Sequence, residues 1–150
     1  MSGLYDADIL EWSEKQADAL RRRAANEIDW DNVAEEIESV GNEQRHAVES
    51  LLINIMQHLL QISAWPEASA VSHWQHEIDG WRVQVQRRLR RGPKLRGDME
   101  AGLADLYRDA VRTMYREVDG VPRPEVPDVC PYALAELLAE PDRENPQPLT

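Results

Sequence analysis

Between Trp30 and Ile62 large apolar residues recur at spacings of three and four, with a single gap of eight. The set is Trp30, Val33, Ile37, Val40, Val48, Leu51, Ile55, Leu59 and Ile62. A helix of 3.6 residues per turn puts all of them on one stripe, whereas a strand would need a period of two. The phase survives Gly41, so one long helix, or two nearly collinear ones, is expected here. A glycine inside a helix costs about 1 kcal/mol against alanine, which leaves room for a kink or a close helix contact. Past Leu51 the back of the helix is apolar as well, through Ile53 and Leu60. Such a segment must be covered on most sides.

The rest of the chain follows the same period. A first helix is expected from Asp6 or Asp8 to Asn26, with Ile9, Trp12, Leu20 and Ala24 near one face and Arg21, Arg22 and Arg23 at its end. Asp29 or Asp31 caps the second helix. Trp65-Pro66 interrupts the pattern. A third helix begins near Ser72, carries Trp74, Ile78, Trp81, Val85 and Leu89, and stops at Gly92-Pro93. A fourth runs from about Leu95 to Val118, with Met99, Leu103, Leu106, Ala110 and Met114 inward, and ends at Asp119-Gly120. Prolines hold 121–127 extended. A short last helix has Pro131 in its first turn and Leu134, Leu137 and Leu138 inward. Residues 141–150 read as a flexible tail. These elements predict an all-α protein, an up-and-down bundle of four long helices plus a short C-terminal helix, with residues 1–140 as one domain.

Composition narrows the partners. The 150 residues carry a net charge of −11 and no Phe. That balance disfavours nucleic acid and anionic membrane. The run from Leu51 to Ile62 is much shorter than the ~20 residues of a membrane span. Cys130 is the only cysteine, so an intrachain disulfide and a multi-cysteine metal site are excluded. An N-terminus with acids in place of a basic and apolar leader reads as cytoplasmic. Against the acidic average stands a basic island at 82–96, including Arg87, Arg88, Arg90 and Arg91. Its tryptophans fall on the buried stripe, which makes poor stacking platforms, and helix-end charge explains the arginines more cheaply.

Particular strings then gain weight. They are Tyr5-Asp6-x-Asp8-Ile9-x-x-Trp12, Asp29-Trp30-x-Asn32-Val33-Ala34-Glu35-Glu36-Ile37-Glu38-Ser39-Val40-Gly41, His58-Leu59-Leu60, Tyr107-x-x-Ala110 and Cys130-Pro131-Tyr132-x-Leu134. In this order they resemble the bacterial domain-of-unknown-function family number 29, over about residues 4–139. The resemblance implies a bacterial, cytoplasmic, mainly helical protein and no particular activity. It departs at Gln61-Ile62, where a basic residue followed by an aromatic one is expected.

Candidate chemistry is sparse. Glu36, Glu43, Asn54 and His58 project along one edge of the long stripe, as a solvated margin, an interhelical network or a functional edge. Glu43-x-x-His46 has the spacing used by dinuclear carboxylate bundles, but His73-x-x-His76 lacks the carboxylate needed for a second half. His46 also projects toward solvent. A mononuclear transition-metal site could use His58, His76 and a carboxylate if the second and third helices are neighbours. Glu36 lies about 33 Å from His58 along the axis, too far to share a metal. Glu35, Glu36 and Glu38 suit a helix N-terminus, or ion pairs with the basic island or with Arg21–Arg23. No phosphate loop or serine elbow is present. The reading is a non-catalytic helical interaction protein that self-associates as a homo-oligomer or meets a protein partner, needing no cofactor. The alternative is a metal-dependent enzyme with its site inside the bundle.

Overall fold

In a computed structural model, residues 3–117 and 122–139 are described, and every regular element among them is helical. The elements are α1 (Leu4–Ala7), α2 (Ile9–Arg21), a 3-10 turn (Ala25–Glu27), α3 (Trp30–Ala64), α4 (Val71–Leu89), α5 (Pro93–Glu117) and α6 (Leu134–Leu138). The chain is thus all-α, with four long helices and a short C-terminal one, as the periodicity predicts. The expected helix end at Val118 and Asp119-Gly120 and the expected tail at 141–150 lie outside the described residues. The fold divides into two compact units, Met1–Gln44 and Arg45–Thr150. α3 contributes residues to both.

In the first unit the long first helix begins at the later of its two expected starts and stops short of the expected Asn26. Asp8 is extended (φ −152°, ψ 93°), and its carboxylate accepts from the Glu11 N–H at 3.0 Å. It caps α2 and so cannot continue α1. At the other end Arg23 is left-handed (φ 58°). The Ala24 N–H reaches Ala19 O at 2.9 Å and the Arg23 N–H reaches Leu20 O at 3.1 Å. This is the paired bonding of a Schellman stop, with arginine in the place that glycine usually takes.

The second unit holds the main core. Val48, Leu52, Ile55, Met56, Leu59 and Leu60 of α3 are buried against Ile78, Val85 and Leu89 of α4. Met99, Leu103, Leu106, Tyr107, Ala110 and Met114 of α5 and Leu134, Leu137 and Leu138 of α6 complete it. Each large side chain removed from water contributes roughly 1.5–3 kcal/mol. Pro93 opens α5 at its first position, where the missing N–H costs nothing. α6 begins at Leu134, later than its proline suggests, because Pro131 to Ala133 are not helical. Its C-terminal carbonyls are satisfied from α4. Arg82 Nε donates to Leu137 O at 2.7 Å, and Gln86 Nε2 donates to Leu138 O at 2.6 Å. The extended segment after α5 is held by two tyrosines. Tyr107 donates its hydroxyl to Pro127 O at 2.6 Å and Tyr115 to Pro124 O at 2.9 Å.

Candidate functional site

The acidic string at the start of α3 is organised by α1 and α2. The Trp12 indole is buried, so its N–H needs an acceptor. It donates to Asp29 Oδ2 at 3.1 Å, and Asn32 Nδ2 donates to the same oxygen at 2.8 Å. These two donors, Asn32 first, hold the Asp29 carboxyl below its usual range against the opposing effect of desolvation. Gln16 secures the same corner. Its Oε1 accepts from the Asp29 N–H at 2.7 Å while its Nε2 donates to Glu27 O at 3.2 Å. Tyr5 packs edge-on against Trp12 and donates its hydroxyl to Glu36 Oε1 at 2.6 Å. That bond to a carboxylate, with burial and nearby acids adding to it, pushes the Tyr5 phenol up to about 12.

Glu36 is therefore a structural acceptor rather than a free functional carboxylate. Several of the basic groups expected as partners for these acids are engaged by other carboxylates. Arg22 is bound by Asp18 and Glu27, while Lys94 and Arg96 of the basic island face Asp98 and Glu100. Arg82, counted in that island, turns inward onto α6. Arg87, Arg88, Arg90 and Arg91 lie exposed at the end of α4, where the helix dipole favours positive charge.

What this corner leaves uncovered is apolar. Trp30, Ile37 and Val40 were expected in the core, yet they are 59%, 67% and 62% exposed. Val33 between them is half-buried. Ile9 and Leu20, expected near one face of the first helix, are exposed as well. Among the described residues, Trp12 and Ala19 are the buried apolar side chains of this unit. The reason is one of partners. The stripe keeps its phase along all of α3, but a stripe is buried only where other elements lie over it. At Gly41 nothing beyond its own stretch of helix comes within 4 Å of where a Cβ would stand, so the glycine does not serve a close helix contact.

The second unit brings one histidine to a carboxylate. His58 Nε2 lies 2.6 Å from Glu77 Oε2, and the ring meets Trp81 and Trp74 edge-on at 4.8 and 6.3 Å between centroids. The carboxylate fixes the proton on Nε2. Nδ1 is buried and unpartnered, as is Gln61 Oε1 one turn along the same helix. Through Glu77 this imidazole ties α3 to α4. His73 Nε2 lies 3.4 Å from the other oxygen of Glu77. His76, proposed beside His58, is exposed, as are Glu43 and His46, and Asn54 is half-buried. Among the described residues no group of three or more His, Cys, Asp and Glu is arranged to hold a metal ion. Also among them, no helix is long and apolar enough to cross a membrane.

Sequence reasoning missed Glu77, which lies 19 residues from His58 with no spacing signal to connect them. The Trp12–Asp29 and Tyr5–Glu36 bonds were more accessible. All four residues fall inside the quoted strings, and a buried indole needs an acceptor.

No curated protein matches the chain. A crystal structure of an alpha-helical protein of unknown function from Rhodospirillum rubrum ATCC 11170 superposes with a TM-score of 0.66. It is 23% identical, and the match covers 93% of this chain and 92% of the other. At that identity the likeness extends to the fold. A family model described as a domain of unknown function, DUF29, matches residues 4–141. Nearly the whole chain is spanned by that match, and the protein belongs to the DUF29 family.

Proposed function

We propose that the protein is a non-catalytic helical module that self-associates through the first half of α3. The observation carrying this reading is the exposure of Trp30, Ile37 and Val40 on one helical stripe. Trp30, Val33, Ile37 and Val40 occupy alternating a and d positions of a heptad, the seam that one helix offers another. Neighbouring positions favour a second copy of this chain, set parallel. In that register Glu36 at a g position faces Gly41 of the second copy at an e position, and Asp29 faces Ala34. An antiparallel pair would instead set Glu36 against Glu43, and like charges there repel. Small residues at the e positions also let two helices approach.

Size-exclusion chromatography with light scattering tests the reading. The wild-type chain is expected to be a dimer at micromolar concentration and Ile37→Glu a monomer with unchanged helicity. A monomeric wild type, or a dimer indifferent to Ile37→Glu, would sink it.

A further inference from the structure

A second feature, independent of self-association, lies at the far end of α5. Arg112, Tyr115, Arg116 and Arg123 line an open cleft of about 410 Å³. Arg112, Tyr115 and Arg116 share one face of the helix through their three- and four-residue spacings. Arg123 comes from the extended segment that follows. Its guanidinium carbon stands 5.1 Å from the centroid of the Tyr115 ring. The Tyr115 hydroxyl, bonded to Pro124 O at 2.9 Å, holds that segment in place. Arg123 is thereby positioned before any ligand arrives, which lowers the ordering cost of binding.

Among the described residues the charges in the cleft are only partly balanced. Arg112 meets Asp109 at 3.2 Å. Glu117, the acid beside Arg116, accepts instead from Gln57 Nε2 at 2.6 Å. Among the described residues no carboxylate forms an ion pair with Arg116 or Arg123. The helix dipole accounts for Arg116 in the last turn of α5. It does not account for Arg123, which is off the helix and yet converges on the same space. In a chain of net charge −11 this local excess of positive charge runs against the whole.

We propose that this cleft binds a phosphoryl group. Planar guanidinium forks match the oxygens of a tetrahedral oxyanion two at a time, and three forks can surround one such group. The cleft is open, so the group can be free phosphate or the end of a larger phosphomonoester, with the remainder outside.

Inorganic phosphate titrated at low ionic strength into the full chain, with arginine Nε–H signals followed by NMR, tests the proposal. Saturable shifts are expected at Arg112, Arg116 and Arg123, and potassium chloride of equal ionic strength should not reproduce them. Arg116→Gln with Arg123→Gln should weaken binding by about tenfold or more. Arg87→Gln with Arg91→Gln removes the same charge elsewhere and should leave it unchanged. All four side chains are exposed, and circular dichroism checks that both double variants fold. A parallel titration with glycerol phosphate separates the two sources. Tighter binding than inorganic phosphate identifies a phosphomonoester, and equal binding identifies the free ion. Shifts that do not saturate, that chloride reproduces, or that both double variants weaken equally would overturn the proposal.

Discussion

The two halves of α3 carry the same kind of stripe and meet different fates. From Val48 to Leu59 the stripe is buried or half-buried against α4, α5 and α6. From Trp30 to Val40 it is exposed, although its spacing is if anything more regular. The first unit is tied by hydrogen bonds among Tyr5, Trp12, Gln16, Asp29, Asn32 and Glu36. Amphipathicity thus states which face a helix can bury, and the neighbouring chain decides whether it does.

The largest expected effect is the sharpest test of this contrast. Leu52→Ala should cost about 2–5 kcal/mol in urea denaturation, because the site is fully buried among three other helices. Ile37→Ala, measured at dilutions where the chain is monomeric, should change stability by less than about 0.5 kcal/mol. A comparable loss at Ile37 under those conditions would mean that its face is covered within one chain.

Tyr107→Phe comes next, at about 1 kcal/mol, since it removes a part-buried hydrogen bond to Pro127 O that holds the segment after α5. The second unit should also weaken in alkali. Burial pushes the Tyr132 phenol up to about 12 from an ordinary 10.0, and burial raises Tyr107 as well. A folded-state value above the unfolded one gives stability that is present below pH 10 and lost as pH rises through 12. Tyr132→Phe should flatten the fall seen in denaturation midpoints between those limits. An unchanged slope would show that Tyr132 is not the group responsible.

Gly41→Ala should stabilise the helix by about 1 kcal/mol, because the glycine pays backbone entropy and nothing stands near the added methyl. Destabilisation there would reveal a tight contact at the join between the halves. The smallest effect is local and acidic. Asp29 has its carboxyl lowered from 3.8, so the stability it contributes is present above that pH and lost as pH falls through the lower folded value. The Trp12 indole N–H resonance should shift in that window and lose its titration in Asp29→Asn. Titration of that signal around pH 3.8 or above would remove Asp29 from the account.

Much of the fold was legible because it is local. The length of α3, the break at Trp65-Pro66 and the stop at Gly92-Pro93 follow from periodicity and proline chemistry. The break at Asp8 was less so, since an aspartate can begin a helix or sit within its first turn. The left-handed Arg23 gave no signal, because glycine is the residue that normally announces that geometry. Of the candidate residues, His46 was read correctly as solvent-facing. Glu36 lies on the margin expected to be a solvated edge, an interhelical network or a functional edge, and its bond to Tyr5, 31 residues away, makes it part of a network.

By itself the sequence determined the helical class, the order of the long helices, the inward faces of α4 and α5 and the family. Those properties depend on contacts within a few residues along the chain. Tertiary structure alone decided which part of α3 is covered, that Glu36 serves Tyr5 and His58 meets Glu77, and that Arg123 joins Arg112 and Arg116. The physical reason is that burial and pairing are set by distance in space, and a one-dimensional period carries no information about which element will lie on the other side.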